Sequence, residues 1–264
     1  MKISEKKVRN LIRKSLLKER ELLDPSTWFS QESESGEDSG CPVVSSWQEV
    51  FPSLVSTGII KKSSSILVLD GPGQSLKLIE SGKVSRDFPC STALNGFGNT
   101  NNSGQTSTGL MRVRGKIGED QPKYTVFKSL SPTGNILGPN EGKKAWVLTR
   151  AILLTGLQSE NRNVSARAIY IHGTNRERRL GTAVSGGCIR VSNDDVMWIF
   201  ENIPVGTHLY VLGDPQGTNP PFPCSQKDIY ESSERAREKM LESEEDLAAY
   251  VRGEPRDIEP DSTA

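Results

Sequence analysis

The sequence predicts a mainly β domain with charged, helical segments at both ends. Short apolar runs separated by turn residues fill the middle of the chain, one segment there has helical spacing, and charge is concentrated at the two ends. With 264 residues, the chain is long enough for one domain of ordinary size with appendages.

Alternating or continuous apolar runs bounded by Gly, Pro, Asn and Ser predict the strands. A turn at 71–73 separates the first two, which suggests a β meander, and the Asn- and Gly-rich residues 95–104 predict a loop. The strands are predicted, in chain order, at 65–70, 76–79, 83–88, 124–127, 146–153, 167–172 and 207–212.

A single short helix is predicted late in the domain. Ser192 is a suitable N-cap, acidic residues follow it in the first turn, and Pro204 ends the segment. Apolar residues spaced for one buried face support the prediction: Val196, Ile199, Phe200 and Ile203.

The strand at 167–172 alternates, so Ala168, Tyr170 and His172 are expected on one face. Gly173 and Thr174 follow His172 at once, which allows a turn, and the Thr174 hydroxyl is placed to orient the imidazole.

Cys188 lies sixteen residues after His172 and follows Gly186 and Gly187. Glycines there would let backbone N–H groups point at the group that the sulfur attacks, so the pattern favours thiolate acyl transfer. A buried structural thiol is the alternative for Cys188. His208 lies in an alternating strand, where a hydrogen-bonded, partly buried imidazole is expected instead.

These residues resemble the L,D-transpeptidases with a YkuD-type catalytic domain. The matching positions are His172, Gly173, Thr174, Gly181, Ser185, Gly187, Cys188, Ile189 and Arg190. Residues 106–113 resemble the family's Thr-Pro-Thr-Gly turn and strand, with Ser107 in place of proline, and the resemblance covers residues 64–213. The family's second histidine in the Cys motif is Gly186 here.

The resemblance implies a YkuD-like β-sandwich of mixed sheets and a peptidoglycan L,D-transpeptidase. Cys188 would form a thioester with a tetrapeptide stem and release D-alanine, His172 would be the base, and N–H groups at Gly187 and Cys188 would bind the oxyanion. The alternatives are a hydrolase acting on stem peptides and a non-catalytic wall-binding protein. The residues expected to contact substrate are Tyr170, Gly173, Thr174, Ser185, Gly186 and Arg190.

Two of these residues have a structural alternative. Arg190 is two residues from Cys188 and suits a substrate carboxylate, but it could instead pair with Asp194 or Asp195. Ser185 either closes the turn or contacts substrate.

The formal net charge is zero, but residues 1–20 carry +6, 21–40 carry −6 and 226–264 carry −6. We therefore predict a basic amphipathic helix at 1–24, a flexible acidic linker at 25–46, the catalytic domain at 47–213 and a charged helical tail at 214–264. The partner of the N-terminal helix is unknown, and no nucleic acid partner is expected.

No signal peptide or transmembrane segment is visible. The substrate nevertheless implies a location in the cell envelope or periplasm, with delivery by a phage as one possible route.

The four cysteines, at 41, 90, 188 and 224, show no metal-binding spacing, so neither a metal nor another cofactor is expected. A disulfide between Cys41 and Cys224 or between Cys90 and Cys224 is compatible with the sequence. Cys90 lacks a paired His motif and is expected to be a packing residue.

Overall fold

A computed structural model describes residues 44–213, 219–225 and 229 of the chain. The predicted helix at 1–24 lies outside the described residues, as do most of the linker at 25–46 and most of the tail at 214–264. None of the helices in the described part has the length and apolar character needed to cross a bilayer.

The described residues contain two α-helices, one 3₁₀ turn (Glu177–Arg179) and a sheet of ten strands. The helices are α1 (Trp47–Ser56) and α2 (Asn193–Asn202). The strands are β1 (Ser65–Asp70), β2 (Ser75–Glu80), β3 (Lys83–Pro89), β4 (Gly109–Ile117), β5 (Thr125–Lys128), β6 (Ser131–Ile136), β7 (Val147–Gly156), β8 (Tyr170–Thr174), β9 (Ile189–Val191) and β10 (His208–Leu212).

The strands form one mixed sheet in the order β3-β2-β1-β10-β4-β7-β5-β6, and β8 also pairs with β7 and carries β9 on its other side. The β1–β10 and β8–β9 pairs are parallel, and the remaining pairs are antiparallel. The prediction of a mainly β domain with mixed strand directions and a short helix after Cys188 is therefore confirmed.

The main core lies between two parts of the sheet and α2. One part, or arm, consists of β1, β2 and β3, and the other consists of β4, β7, β8 and β9. Side chains from β1, β2 and β3 share one apolar cluster with side chains from β4, β7, β8, β9 and α2. Beyond β3, Ser91 forms an isolated antiparallel bridge with Arg190, which brings the chain after β3 against β9. The two arms thus enclose the core as in a sandwich, and β9 lies where they meet.

A second core lies on the other face of the sheet, under α1. Val50, Phe51 and Leu54 are the buried residues of this helix. They pack with apolar residues of β1, β4 and β10, and Phe222 contacts Tyr210 there with ring centroids 5.3 Å apart. Burying this amphipathic face keeps α1 on the sheet although Pro52 interrupts its hydrogen bonding.

The helix after Cys188 forms as predicted, and the Ser192 side chain accepts a hydrogen bond from the backbone N–H of Asp195. The strand predicted at 167–172 was wrong at its start, because β8 begins at Tyr170. The N–H of Ala168 bonds to the carbonyl of Ser165 in a turn, and Ala168 has a φ of +54°. Local alternation predicted the strand, but the turn overrides it.

Candidate active site

The parallel pair β8–β9 places the predicted catalytic residues side by side. Its register pairs His172 with Arg190. Two residues earlier on each chain segment, Tyr170 therefore lies beside Cys188, which directly precedes β9. Side chains alternate along a strand, and neighbouring strands lie about 4.8 Å apart. All four side chains consequently extend from one face of the sheet, while Ile171 and Ile189 are buried on the other.

A buried polar cluster fixes the end of β8. Asn193, at the start of α2, donates to the Thr174 carbonyl over 2.8 Å and to the Glu177 carboxylate over 2.7 Å, and it accepts from the Thr149 hydroxyl over 2.6 Å. A Cβ on Gly173 would lie only 2.6 Å from the Asn193 side-chain oxygen. Glycine is therefore required at 173, because α2 packs directly on the backbone there.

His172 is only 4 % exposed, and its Nδ1 lies 2.7 Å from the Gly173 carbonyl oxygen. A proton on Nδ1 satisfies this contact and leaves Nε2 unprotonated, the tautomer that a base needs. Burial lowers the pKa of His172 to about 4, the Gly173 carbonyl opposes that shift, and Arg190 adds to it. The imidazole is therefore neutral at neutral pH.

The expectation that the Thr174 hydroxyl orients this imidazole was wrong. That hydroxyl accepts a hydrogen bond from the backbone N–H of Arg176 over 3.0 Å, and the ring is instead held by the Gly173 carbonyl.

Cys188 is partly exposed, and its thiol donates to the carbonyl oxygen of Ala168 over 3.3 Å. Burial raises the pKa of the thiol, whereas a hydrogen bond from the Tyr170 backbone and the charge of Arg190 lower it. Burial also raises the pKa of the Tyr170 phenol, and a charge on Cys188 would raise it further. At neutral pH the thiol is thus protonated beside a neutral imidazole.

Ser185 closes the turn before the thiol. Its hydroxyl donates to the Cys188 carbonyl over 2.6 Å and accepts from the Gly187 N–H over 3.1 Å. Of the two expected roles of Ser185, the turn role is the one this geometry supports. The same bond conflicts with the expectation that the Gly187 N–H serves the oxyanion, because that N–H already has an acceptor.

Gly187 has a φ of +134°, and a Cβ there would lie 3.0 Å from Ile169. Its carbonyl accepts from the hydroxyl of Thr106 over 2.9 Å, and that hydroxyl accepts in turn from the Ala93 N–H over 2.9 Å. The sequence placed Thr106 in the motif at 106–113 that resembles the family, but it predicted no role for this residue. The structure shows that Thr106 joins the turn before Cys188 to the segment around Ala93.

Arg167 was also missed. Its guanidinium donates to the carbonyls of Gly98 and Gln105 over 2.8 and 2.6 Å, and to the hydroxyls of Ser107 and Ser103 over 2.6 and 3.2 Å. These four bonds hold the predicted loop at 95–104 against Arg167. Its composition predicts a loop but gives no sign of this arginine.

Arg190 does not form the predicted alternative ion pair with Asp194 or Asp195. Asp194 pairs with Lys123 at 2.5 Å, and the Asp195 carboxylate accepts from the Ser192 hydroxyl over 2.6 Å. Arg190 instead donates to the Val184 carbonyl at 3.5 Å. Burial lowers its pKa, Cys188 nearby opposes that shift, and Arg176 adds to it, so Arg190 lies close to both the thiol and a second cation.

The family model described as the L,D-transpeptidase catalytic domain, YkuD, matches residues 64–211. The chain belongs to this family. The match begins just before β1, ends within β10 and includes both Cys188 and His172.

Curated relatives match over shorter segments of this L,D-transpeptidase domain. The Escherichia coli K12 protein named "Probable L,D-transpeptidase ErfK/SrfK" is 33% identical over 100 residues, which cover 35% of this chain and 32% of that protein. The protein named "Probable L,D-transpeptidase YcfS" from the same strain is 38% identical over 116 residues, covering 38% of this chain and 36% of that protein. The chain thus spans about a third of the length of each of these relatives.

Among solved structures, an L,D-transpeptidase from Mycobacterium smegmatis aligns with a TM-score of 0.36 and 22% identity, over 56% of this chain and 58% of that chain.

At Gly186 the L,D-transpeptidase domain departs from its family's usual cysteine motif. Gly186 is exposed, and no atom lies within 4 Å of a Cβ built there. The position therefore has room for a side chain, in contrast to Gly187.

Two further cysteines, Cys90 and Cys224, lie in the described part of the chain. Cys90 is a free, fully buried thiol, and burial raises its pKa to about 12, which agrees with a packing role. Cys224 is disulfide-bonded, so the Cys90–Cys224 pairing is wrong. The alternative involves Cys41, which lies outside the described residues.

Proposed function

We propose that the chain is a cysteine-dependent peptidoglycan L,D-transpeptidase. The observation that carries the proposal is the shared face of β8 and β9, on which a partly exposed thiol and a neutral, oriented imidazole occur together with Arg190. Membership of the L,D-transpeptidase family supplies the substrate class, the stem peptides of peptidoglycan. The proposed place of action is accordingly the cell envelope.

The first step is attack by the Cys188 sulfur on the carbonyl of the diamino-acid residue that precedes the terminal D-alanine. A carbon–sulfur bond forms, the amide carbon–nitrogen bond breaks, and D-alanine leaves as the amine. An amine of a second stem then attacks the thioester: a carbon–nitrogen bond forms, the carbon–sulfur bond breaks, and the proton lost by the amine passes through His172 to the sulfur.

His172 carries the proton between these steps. The thiol rotates from the Ala168 carbonyl to Nε2 of His172, transfers its proton as the sulfur attacks, and the imidazolium returns it to the leaving nitrogen. The high pKa of the thiol and the low pKa of the imidazole favour proton transfer during the attack over a stable ion pair beforehand.

The oxyanion and the substrate carboxylates need donors. We assign the oxyanion to the backbone N–H of Cys188, because the Gly187 N–H donates to Ser185. Arg190, with Arg176 nearby, is suited to a stem-peptide carboxylate. Of the other proposed substrate contacts, Tyr170 lies on this same strand face and Gly186 in the exposed turn before Cys188. Gly173 and Thr174 are buried beside α2, so we propose that they support the site from behind.

Hydrolysis of the same thioester is the second candidate. The open space beside Gly186, where the family usually has a histidine, supports access of water to the thioester. Incubation with a disaccharide-tetrapeptide separates the two functions, because transfer gives cross-linked dimers and hydrolysis gives free tripeptide.

The decisive experiment is acylation by a carbapenem followed by mass spectrometry. We expect one adduct, located by peptide mapping on Cys188, and none in Cys188→Ala. His172→Asn keeps a donor for the Gly173 carbonyl but has no base, so it should slow acylation about 10²-fold or more. A protein that forms no adduct yet sediments with cell-wall sacculi would instead be a wall-binding protein.

A further inference from the structure

An open cleft with a volume of about 620 Å³ lies between the β2–β3 hairpin and the end of α2. Ser91 bridges to Arg190 in the antiparallel sense, so Arg86 and Cys188 lie in opposite directions from that bridge. Arg86 is five residues from Ser91, and Cys188 is two residues from Arg190. The seven residues of extended chain between Arg86 and Cys188 correspond to roughly 20 Å. The cleft is therefore distinct from the thiol site.

The cleft combines an aromatic wall with polar groups of several kinds. The guanidinium of Arg86 lies over the ring of Trp198, 4.0 Å from its centre, and the ring packs against Phe88 with centroids 5.6 Å apart. These contacts fix the position of the arginine's donors. The other polar lining groups are those of Ser65, Glu80, Ser85, Asn202 and Thr207.

The charges of the cleft argue against a strongly charged ligand. Arg86 would attract an anion, but the Glu80 carboxylate in the same cleft would repel it, and the reverse holds for a cation. A neutral ligand with many hydroxyl groups can donate to Glu80 and Asn202 and accept from Arg86. Its apolar faces can pack on the accessible parts of Trp198 and Pro204, which also line the cleft.

We propose that this cleft binds a neutral saccharide, namely an N-acetylated sugar of the glycan strand. The identity of the polymer rests on the proposed function, whereas the saccharide chemistry rests on the cleft itself. A four-residue stem spans at most about 14 Å when fully extended, which is less than the distance from the cleft to the thiol. The bound sugar is therefore not the one that carries the reacting stem.

The test is NMR titration of the isotope-labelled chain with a peptide-free tetramer of N-acetylglucosamine. The indole signal missing from the Trp198→Phe spectrum identifies Trp198. We expect saturable shifts of this signal and of the Asn202 side-chain amide. Glu80→Ala and Asn202→Ala should each weaken binding about tenfold by removing a hydrogen bond. Glu119→Ala, an exposed glutamate outside the cleft, should not.

Absence of shifts up to the solubility limit of the tetramer would overturn the proposal, as would shifts confined to the surroundings of Cys188. Equal affinity for a glucose tetramer, which lacks the acetamido groups, would overturn the assignment to an N-acetylated sugar. Carbapenem acylation of the same samples keeps the two proposals apart: binding without acylation would remove the transpeptidase and leave the saccharide cleft intact. Normal acylation by the variants would also show that their folds are unchanged.

Discussion

The thiol of Cys188 donates a hydrogen bond to the carbonyl of Ala168, 3.3 Å away, in the left-handed turn that leads into β8. The sulfur therefore rests as a protonated donor, and burial keeps its pKa above the ordinary value. His172, with a pKa of about 4, is neutral at neutral pH and carries no proton on Nε2. This resting state differs from a preformed thiolate–imidazolium pair, and the difference can be measured.

Alkylation of Cys188 by iodoacetamide at pH 7 should be slower than that of free cysteine, because only the thiolate reacts. His172→Asn should leave this rate nearly unchanged while it slows carbapenem acylation, in which base catalysis is needed. Both rates can be followed by intact-protein mass spectrometry. Fast alkylation that depends on His172 below pH 7 would instead indicate a preformed ion pair.

Gly186 and Gly187 should respond oppositely to alanine. Gly186→Ala adds a methyl group in open space at a negative φ and should keep or raise the unfolding free energy by up to about 1 kcal/mol. Gly187→Ala places a Cβ at a φ of +134° and 3.0 Å from Ile169, and should cost about 1–3 kcal/mol. Urea unfolding of the two variants tests this, and equal stabilities would contradict the geometry.

Arg167→Lys should loosen the loop at 95–104, because an ammonium cannot reproduce the planar fork that contacts Gly98, Ser103, Gln105 and Ser107. We expect faster amide hydrogen exchange in the loop and a loss of about 2 kcal/mol in unfolding free energy. Arg162→Lys, at an exposed position, is the matched control. Unchanged exchange in Arg167→Lys would show that the loop is held by other contacts.

Acidification should destabilise the fold through His172. Its folded pKa of about 4 lies below the ordinary 6.5, so the stability contributed by the neutral form is complete above pH 6.5 and lost as pH falls toward 4. The loss should be on the order of 3 kcal/mol. Urea unfolding at pH 7 and pH 4 measures it. His172→Asn should show a smaller loss; an equal loss would assign it to other groups, such as His208, whose pKa burial also lowers to about 4.

Arg190→Gln should raise KM for a disaccharide-tetrapeptide about tenfold, because a charge-assisted contact with a substrate carboxylate is removed. The maximal rate should fall less than the affinity. Steady-state kinetics with tetrapeptides that carry a free or an amidated carboxylate provide the check. If both substrates lose the same factor, Arg190 acts on the structure of the turn and does not bind the carboxylate.

Local signals in the sequence were sufficient for much of the fold. Ser192 and the apolar spacing after it predicted α2, because a cap and an amphipathic face act within a few residues. They were insufficient for β9, whose three residues carry too little pattern, and for β6, which is exposed throughout. The start of β8 was misplaced because the turn at Ala168 interrupts an alternation that otherwise suggests a longer strand.

In the candidate site, too, local motifs were predicted from the sequence and long-range contacts were not. His172 and Cys188 were predicted from short motifs, and the register of β8 and β9 brings them to one face. Thr106 and Arg167 could not be assigned, because each acts on residues more than 50 positions away in the chain. The use of the Gly187 N–H was also beyond the sequence, since it depends on the rotamer of Ser185.

The bond between Thr106 and Gly187 joins residues 81 positions apart, and β10, the last strand of the described residues, lies between β1 and β4 near the middle of the sheet order. Such distant pairings form late and slowly during folding. A nascent chain in which Cys188 has just left the ribosome therefore still lacks β10, the strand that joins β1 to β4. The proposed reactivity of Cys188 should therefore arise only after residue 212 has left the ribosome exit tunnel.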